Sequence, residues 1–140
     1  VDRDSLRERA ERGNAGAQHN LGLMYYHGPV YAAGQGIAQD YAEAARWYRA
    51  AAEQGDANAQ FNLGFMYDHG QGVAQDDAEA ARWYRAAAEQ GDEEAQTNLG
   101  LMYDKGRGVP RDPAEAARWY WAAAEQGHRL ARINLSKLCG

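Results

Sequence analysis

The sequence has a single cysteine, Cys139, so it carries no internal disulfide framework and no cysteine-built zinc cluster. In a terminal segment that cysteine reads as a small apolar side chain. No stretch approaches the ~20 apolar residues of a membrane span. No charged-then-apolar signal segment opens the chain, which begins at Val1. A basic excess is missing too: the formal charge is −5, and the thirteen arginines are interleaved with acids. Nucleic-acid binding depends on clustered cations that neutralise phosphates, so it is not expected.

What the chain does have is repetition. The block AEAARWYRAAAEQGD occupies 42–56 and returns letter for letter at 78–92, and AEAARWYWAAAEQGH follows at 114–128. Between the copies run AQHNLGLMYYHG from Ala17, AQFNLGFMYDHG from Ala59 and AQTNLGLMYDKG from Ala95. Gln60 to Gln96 and Trp83 to Trp119 are both 36 residues. The chain divides into a half unit at 1–13, units at 14–55, 56–91 and 92–127, and a half unit at 128–140. Repeats contact mainly their neighbours, so the expected product is an elongated surface and not a globule around a cleft.

Each unit reads as two helices. Ala59, Leu63, Met66 and Tyr67 fall at i, i+4, i+7 and i+8, one face of a first helix, which Gly70 and Gly72 end. A second helix starts at Asp76, whose carboxylate caps free backbone N–H groups. Glu79, three residues on, completes an acidic pattern like a capping box. Asp112-Pro113 repeats the start with proline at the first helical position. Ala80, Ala81, Ala87 and Ala88 allow close helix approach, while Trp83 and Tyr84 fill the space between helices. Trp47, Trp83 and Trp119 therefore read as structural. With the half units, eight helices are expected, and Arg3, Arg7, Arg9 and Arg12 read as a solvating cap on the open N-terminal end. The first unit breaks the period: Gln18 to Gln60 is 42 residues, with the extra six near Pro29–Gly34 bringing Tyr31 into a longer loop. Such insertions either gather on a binding face or are tolerated surface loops.

The strings NLGFMYDHGQGV and DDAEAARWYRAAAEQGD resemble the Sel1-like repeat, a relative of the tetratricopeptide repeat, over nearly the whole chain. Leu63-Gly64-x-x-Tyr67 and Ala80-x-x-x-Tyr84 match the related L-G-x-x-Y and A-x-x-x-F patterns. The resemblance implies an all-α fold, a right-handed superhelix of antiparallel helix pairs, serving as an adaptor surface for other proteins. In bacteria such arrays sit in envelope, signalling or host-interaction systems, which favours periplasm or envelope over cytoplasm. A cysteine-rich branch that binds or cleaves β-lactams places a disulfide in each repeat, and this chain lacks those cysteines.

Positions that differ between copies separate surface from framework. On the first helices they are Gly16/Asn58/Glu94, His19/Phe61/Thr97, Leu23/Phe65/Leu101, Tyr26/Asp68/Asp104 and His27/His69/Lys105. They fall near one helical stripe, which in tetratricopeptide relatives lines the concave groove. Phe61 and Phe65, at i and i+4, form either an apolar interface patch or partly exposed packing. Asn20, Asn62, Asn98 and Asn134 form a ladder beside them. By resemblance those amides bond an extended peptide backbone; their identity in every copy equally fits a structural bond to a loop. The stripe without Gly16 and Glu94, the ladder and Tyr31 make up the candidate site for a protein or peptide partner.

Chemistry is harder to find. His19 and His27 are two helical turns apart, ~12 Å, too far to share a metal. Ser5 and Ser136 lie at opposite ends of the sequence and the repeats bring no recurring acid–base pair beside them, so no triad can be argued. Gly70-Gln71-Gly72-Val73 lacks the strand and lysine of a phosphate loop. No enzyme, metal or cofactor is expected, and the isolated chain is expected to be monomeric. Two alternatives stand beside the adaptor reading: a structural or self-associating solenoid segment joined end to end, and, remotely, a β-lactam-binding or -hydrolysing enzyme.

Overall fold

The computed structural model describes residues 3–30 and 37–139. Within them lie eight α-helices and no strand: α1 Arg3–Glu11, α2 Ala15–His27, α3 Tyr41–Glu53, α4 Ala57–His69, α5 Asp77–Glu89, α6 Glu93–Lys105, α7 Pro113–Glu125 and α8 Arg129–Cys139. A 3-10 turn, Gly28–Val30, follows α2. Tyr31 and the centre of the long loop lie outside the described residues. Each helix packs chiefly on the helix before it and the helix after it, so the fold is an α/α solenoid.

The helix starts follow from the aspartates. Asp56 Oδ1 accepts the N–H of Ala59 at 3.0 Å, and Asp76 Oδ1 that of Glu79 at 3.1 Å. The capping box expected at Glu79 is not closed. The N–H of Asp76 donates instead to the Tyr67 carbonyl at 3.0 Å, and the Glu79 side chain pairs with Arg82 at 3.0 Å. Asp40 and Asp112 repeat this, donating to the carbonyls of Tyr25 and Tyr103. The cap thus ties each second helix to the first helix of its own unit.

Two close approaches explain glycines that helix propensity alone would reject. Gly64 sits inside α4, and a Cβ there would lie 2.9 Å from the Tyr84 ring. The tyrosine therefore packs flat against bare backbone. Gly22 and Gly100 seat Tyr48 and Tyr120 in the same way. Gly72 has φ +70°, and a Cβ there would meet the Tyr41 carbonyl at 2.4 Å. Its loop rests against the N-terminus of α3 in the preceding unit.

Glutamines join the units. Gln60 is buried, and its Nε2 donates to the Ala52 carbonyl at 3.1 Å. Its Oε1 accepts from Gln90 Nε2 at 2.9 Å, and the same nitrogen donates to the Gly55 carbonyl at 2.8 Å. Gln54 with Gln18, and Gln126 with Gln96, repeat the relay. Arg49 with Tyr67 and Arg85 with Tyr103 form a second ladder of guanidinium–phenol bonds. Arg7 belongs to it, bonded to Tyr25, so this arginine of the expected N-terminal cap is a packing residue. Trp47, Trp83 and Trp119 are buried as expected, beneath Arg46, Arg82 and Arg118.

Candidate functional site

Among the described residues, two hollows are lined in part by positions of the variable stripe. One, of about 210 Å³, lies between α2 and α4. Leu23, Tyr26 and His27 line it from α2, Phe61, Asn62 and Phe65 from α4, and Tyr48 from α3. Its wall is mainly aromatic. Phe61 lies 6.3 Å from Phe65 and 5.7 Å from Tyr84, between ring centroids, and both phenylalanines are half-buried. They are wall and support at once: one face packs on the core and the other faces the hollow. His69 is exposed and stacks on Phe65 at 4.0 Å.

Polar groups sit at the rim of this hollow. The Tyr26 hydroxyl donates to Gln71 Oε1 at 2.8 Å. Burial is the main reason its pKa rises above the ordinary phenol value. Asn62 Nδ2 is 3.5 Å from His19 Nε2, which places His19 behind the rim.

The second hollow, of about 420 Å³, lies between α6 and α8. Leu101, Asp104 and Lys105 line it from α6, and Asn134 from α8. Arg111, Lys137 and Leu138 complete it; none of the three belongs to the stripe or the ladder read from complete units. Lys137 has a signal in the copies, because it occupies the place of Leu23, Phe65 and Leu101 in the C-terminal half unit. Arg111 and Tyr48 lie off the first helices, and nothing in their spacing marks them.

Between the hollows the stripe is occupied by internal bonds. Asp68 accepts from the Tyr84 hydroxyl at 3.0 Å and pairs with Arg107 at 2.9 Å. Asn98 bonds the same hydroxyl. Desolvation, then the Asp68 charge, pushes the Tyr84 pKa far upward, and Tyr120 beside Asp104 is raised for the same reasons. Two candidates stand apart from the hollows in the open: Asn20 and Asn58 are exposed on α2 and α4.

Thr97 must be corrected, because it is 1% exposed and offers no contact surface. Its Oγ1 donates to the Glu93 carbonyl at 2.9 Å and lies 3.1 Å from His128 Nδ1. His128 stands where the other units cap with Asn14, Asp56 or Asp92, and it accepts the N–H of Ala131 at 3.2 Å. The larger imidazole closes over Thr97, a replacement whose reach the stripe pattern does not show.

Among the described residues no group of three or more His, Cys, Asp or Glu could hold a metal ion. No helix among them is long and apolar enough to cross a membrane.

An α/α solenoid with a variable stripe along its first helices defines a tandem helical-repeat protein. The Sel1 repeat matches residues 15–56, 57–92 and 93–128, so the chain belongs to the Sel1 repeat family. It is similar to a protective antigen of uropathogenic Escherichia coli with an SLR fold: 45% identity and TM-score 0.83 over 91% of this chain and 26% of that one. It is similar as well to a Sel1 repeat protein from Oxalobacter formigenes, with 38% identity and TM-score 0.80 over 89% of this chain and 49% of that one. The chain thus spans about a quarter and a half of these two proteins. Cysteine-rich protein B of Helicobacter pylori shares the fold at 21% identity and TM-score 0.69, covering 94% and 95% of the two chains. No curated protein matches.

Proposed function

We propose that the chain is a protein-interaction module that holds a peptide or partner protein along the concave groove of its first helices. The observation that carries this reading is the aromatic hollow between α2 and α4. Leu23, Phe61 and Phe65, at positions that differ from copy to copy, help form a mainly apolar recess of about 210 Å³ there. A recess of that chemistry takes one bulky apolar side chain, the kind of anchor on which interface energy concentrates. Family membership supports the reading, because Sel1 repeat proteins are commonly interaction scaffolds and typically not enzymes.

The test is capture of partners from native lysate by crosslinking, comparing the parent chain with Phe61→Glu and Phe65→Glu. The specific partner is expected to be lost from both variants while helical circular dichroism is kept. Capture by both variants at the parental level would refute the groove assignment.

A second reading is favoured by a different observation. Among the described residues the exposed large apolar side chains are Trp121 at 58%, Leu130 at 48% and Ile133 at 46%, all in α7 and α8. Trp121 stands where Arg49 and Arg85 bond a tyrosine, and Cys139 stands where that tyrosine would be. Such a face suits end-to-end association of solenoids. Light scattering over a dilution series discriminates: mass that rises with concentration and falls on Trp121→Glu supports association, and a constant monomer mass removes it.

A further inference from the structure

We propose that the two hollows are subsites for one extended peptide, with a bulky apolar side chain seated between α2 and α4 and a free C-terminus seated between α6 and α8. This rests on the groove reading above and adds the chemistry of the occupant.

The chain carries −5 overall, yet its only two lysines, Lys105 and Lys137, line the same hollow together with Arg111. Among the described residues none of these three cations has a salt bridge. Arg111 commits only its Nε, which donates to the Asp104 carbonyl at 3.0 Å. Several surface arginines are occupied differently: Arg12, Arg46, Arg82, Arg107 and Arg118 each pair with a carboxylate, so what sets the hollow apart is that three cations without a salt bridge gather in one recess. Asp104 is the one carboxylate in the lining, and its Oδ2 already accepts from the Tyr120 hydroxyl at 3.2 Å. Cations without a salt bridge, gathered in one recess, select an anion.

The rest of the lining selects the kind of anion. A peptide C-terminus brings a carboxylate, a main-chain N–H close beside it and a side chain on the same residue. The hollow offers cations for the first, Oδ1 of Asp104, the oxygen that Tyr120 does not use, for the second, and Leu101 and Leu138 for the third. An aspartate or glutamate in mid-peptide would satisfy the cations alone. At the other end, the α2–α4 hollow has no lysine or arginine in its lining, so the groove is apolar at one end and cationic at the other. The two hollows are two units apart, roughly 20 Å at the spacing of packed helices. An extended chain covers that in roughly six residues.

The probe is a library of random dodecapeptides made both as free acids and as C-terminal amides. It is selected on the immobilised chain, with affinities then measured by fluorescence anisotropy. Selected free acids are expected to carry a large apolar residue roughly five to seven positions before the end. They should lose at least tenfold in affinity as amides, and equally on the double change Lys105→Glu with Lys137→Glu. Both lysines are exposed, so circular dichroism should be unaltered. Binders that depend on Phe61 and Phe65 but are indifferent to amidation would overturn the C-terminal subsite and leave the groove reading intact. Enrichment of internal Asp or Glu with the same indifference would assign the cations to an acidic side chain and overturn it too. Failure to select any peptide sensitive to Phe61→Glu or Phe65→Glu would overturn both.

Discussion

Gly64 sits in mid-helix, where alanine would ordinarily be more stable by about 0.5–1 kcal/mol. The Tyr84 ring reverses that sign, because a Cβ would stand 2.9 Å from it. Gly64→Ala is therefore expected to destabilise by about 1–3 kcal/mol, the usual cost of overpacking, as read by denaturant unfolding. Stabilisation would mean that the tyrosine seat is loose. Tyr84 supports a second expectation. Its folded pKa is raised, so the neutral phenol is favoured in the folded state, and its contribution is complete below the unfolded value of about 10. Above that value the contribution declines, because the unfolded chain releases the proton first. The melting temperature should fall as pH rises past about 10, and Tyr84→Phe should flatten that decline. Neither role is legible in the letters. The glycine marks a position where something comes close, but which ring comes close depends on packing between helices.

The helices themselves are largely legible, because their signals are local. Asp76, Asp112-Pro113 and the Gly70 stop act within a few residues of where they stand, and the helices begin and end there. The buried glutamines are not legible. A glutamine on a helix reads as surface, and only the neighbouring unit supplies the carbonyl and amide that bury Gln60. Removing one link tests this. Gln90→Ala leaves the Gln60 oxygen unsatisfied and should cost about 1–3 kcal/mol, whereas the adjacent exposed Glu89→Ala should stay within about ±0.5 kcal/mol. Equal effects on the melting temperature would deny the glutamine relay its role. Trp83→Ala belongs with these element-level tests and should cost about 3–5 kcal/mol by the same measurement.

At the scale of the molecule, identity between copies marks framework, and difference between copies marks the surface open to specialisation. The differing letters alone point to most of the residues that line the two hollows. They mislead at Thr97, where an imidazole in place of an aspartate cap covers the position. They pass over Lys137, which lies in a half unit outside the complete copies. Binding of partners along the first helices is tested most directly by amide chemical-shift mapping of the labelled chain while a selected peptide is titrated in. Shifts are expected to concentrate at Leu23, Phe61, Phe65, Leu101 and Asn134, on α2, α4, α6 and α8. Shifts centred instead on Arg46, Arg82 and Arg118 of the second helices, or confined to Trp121, Leu130 and Ile133, would contradict it.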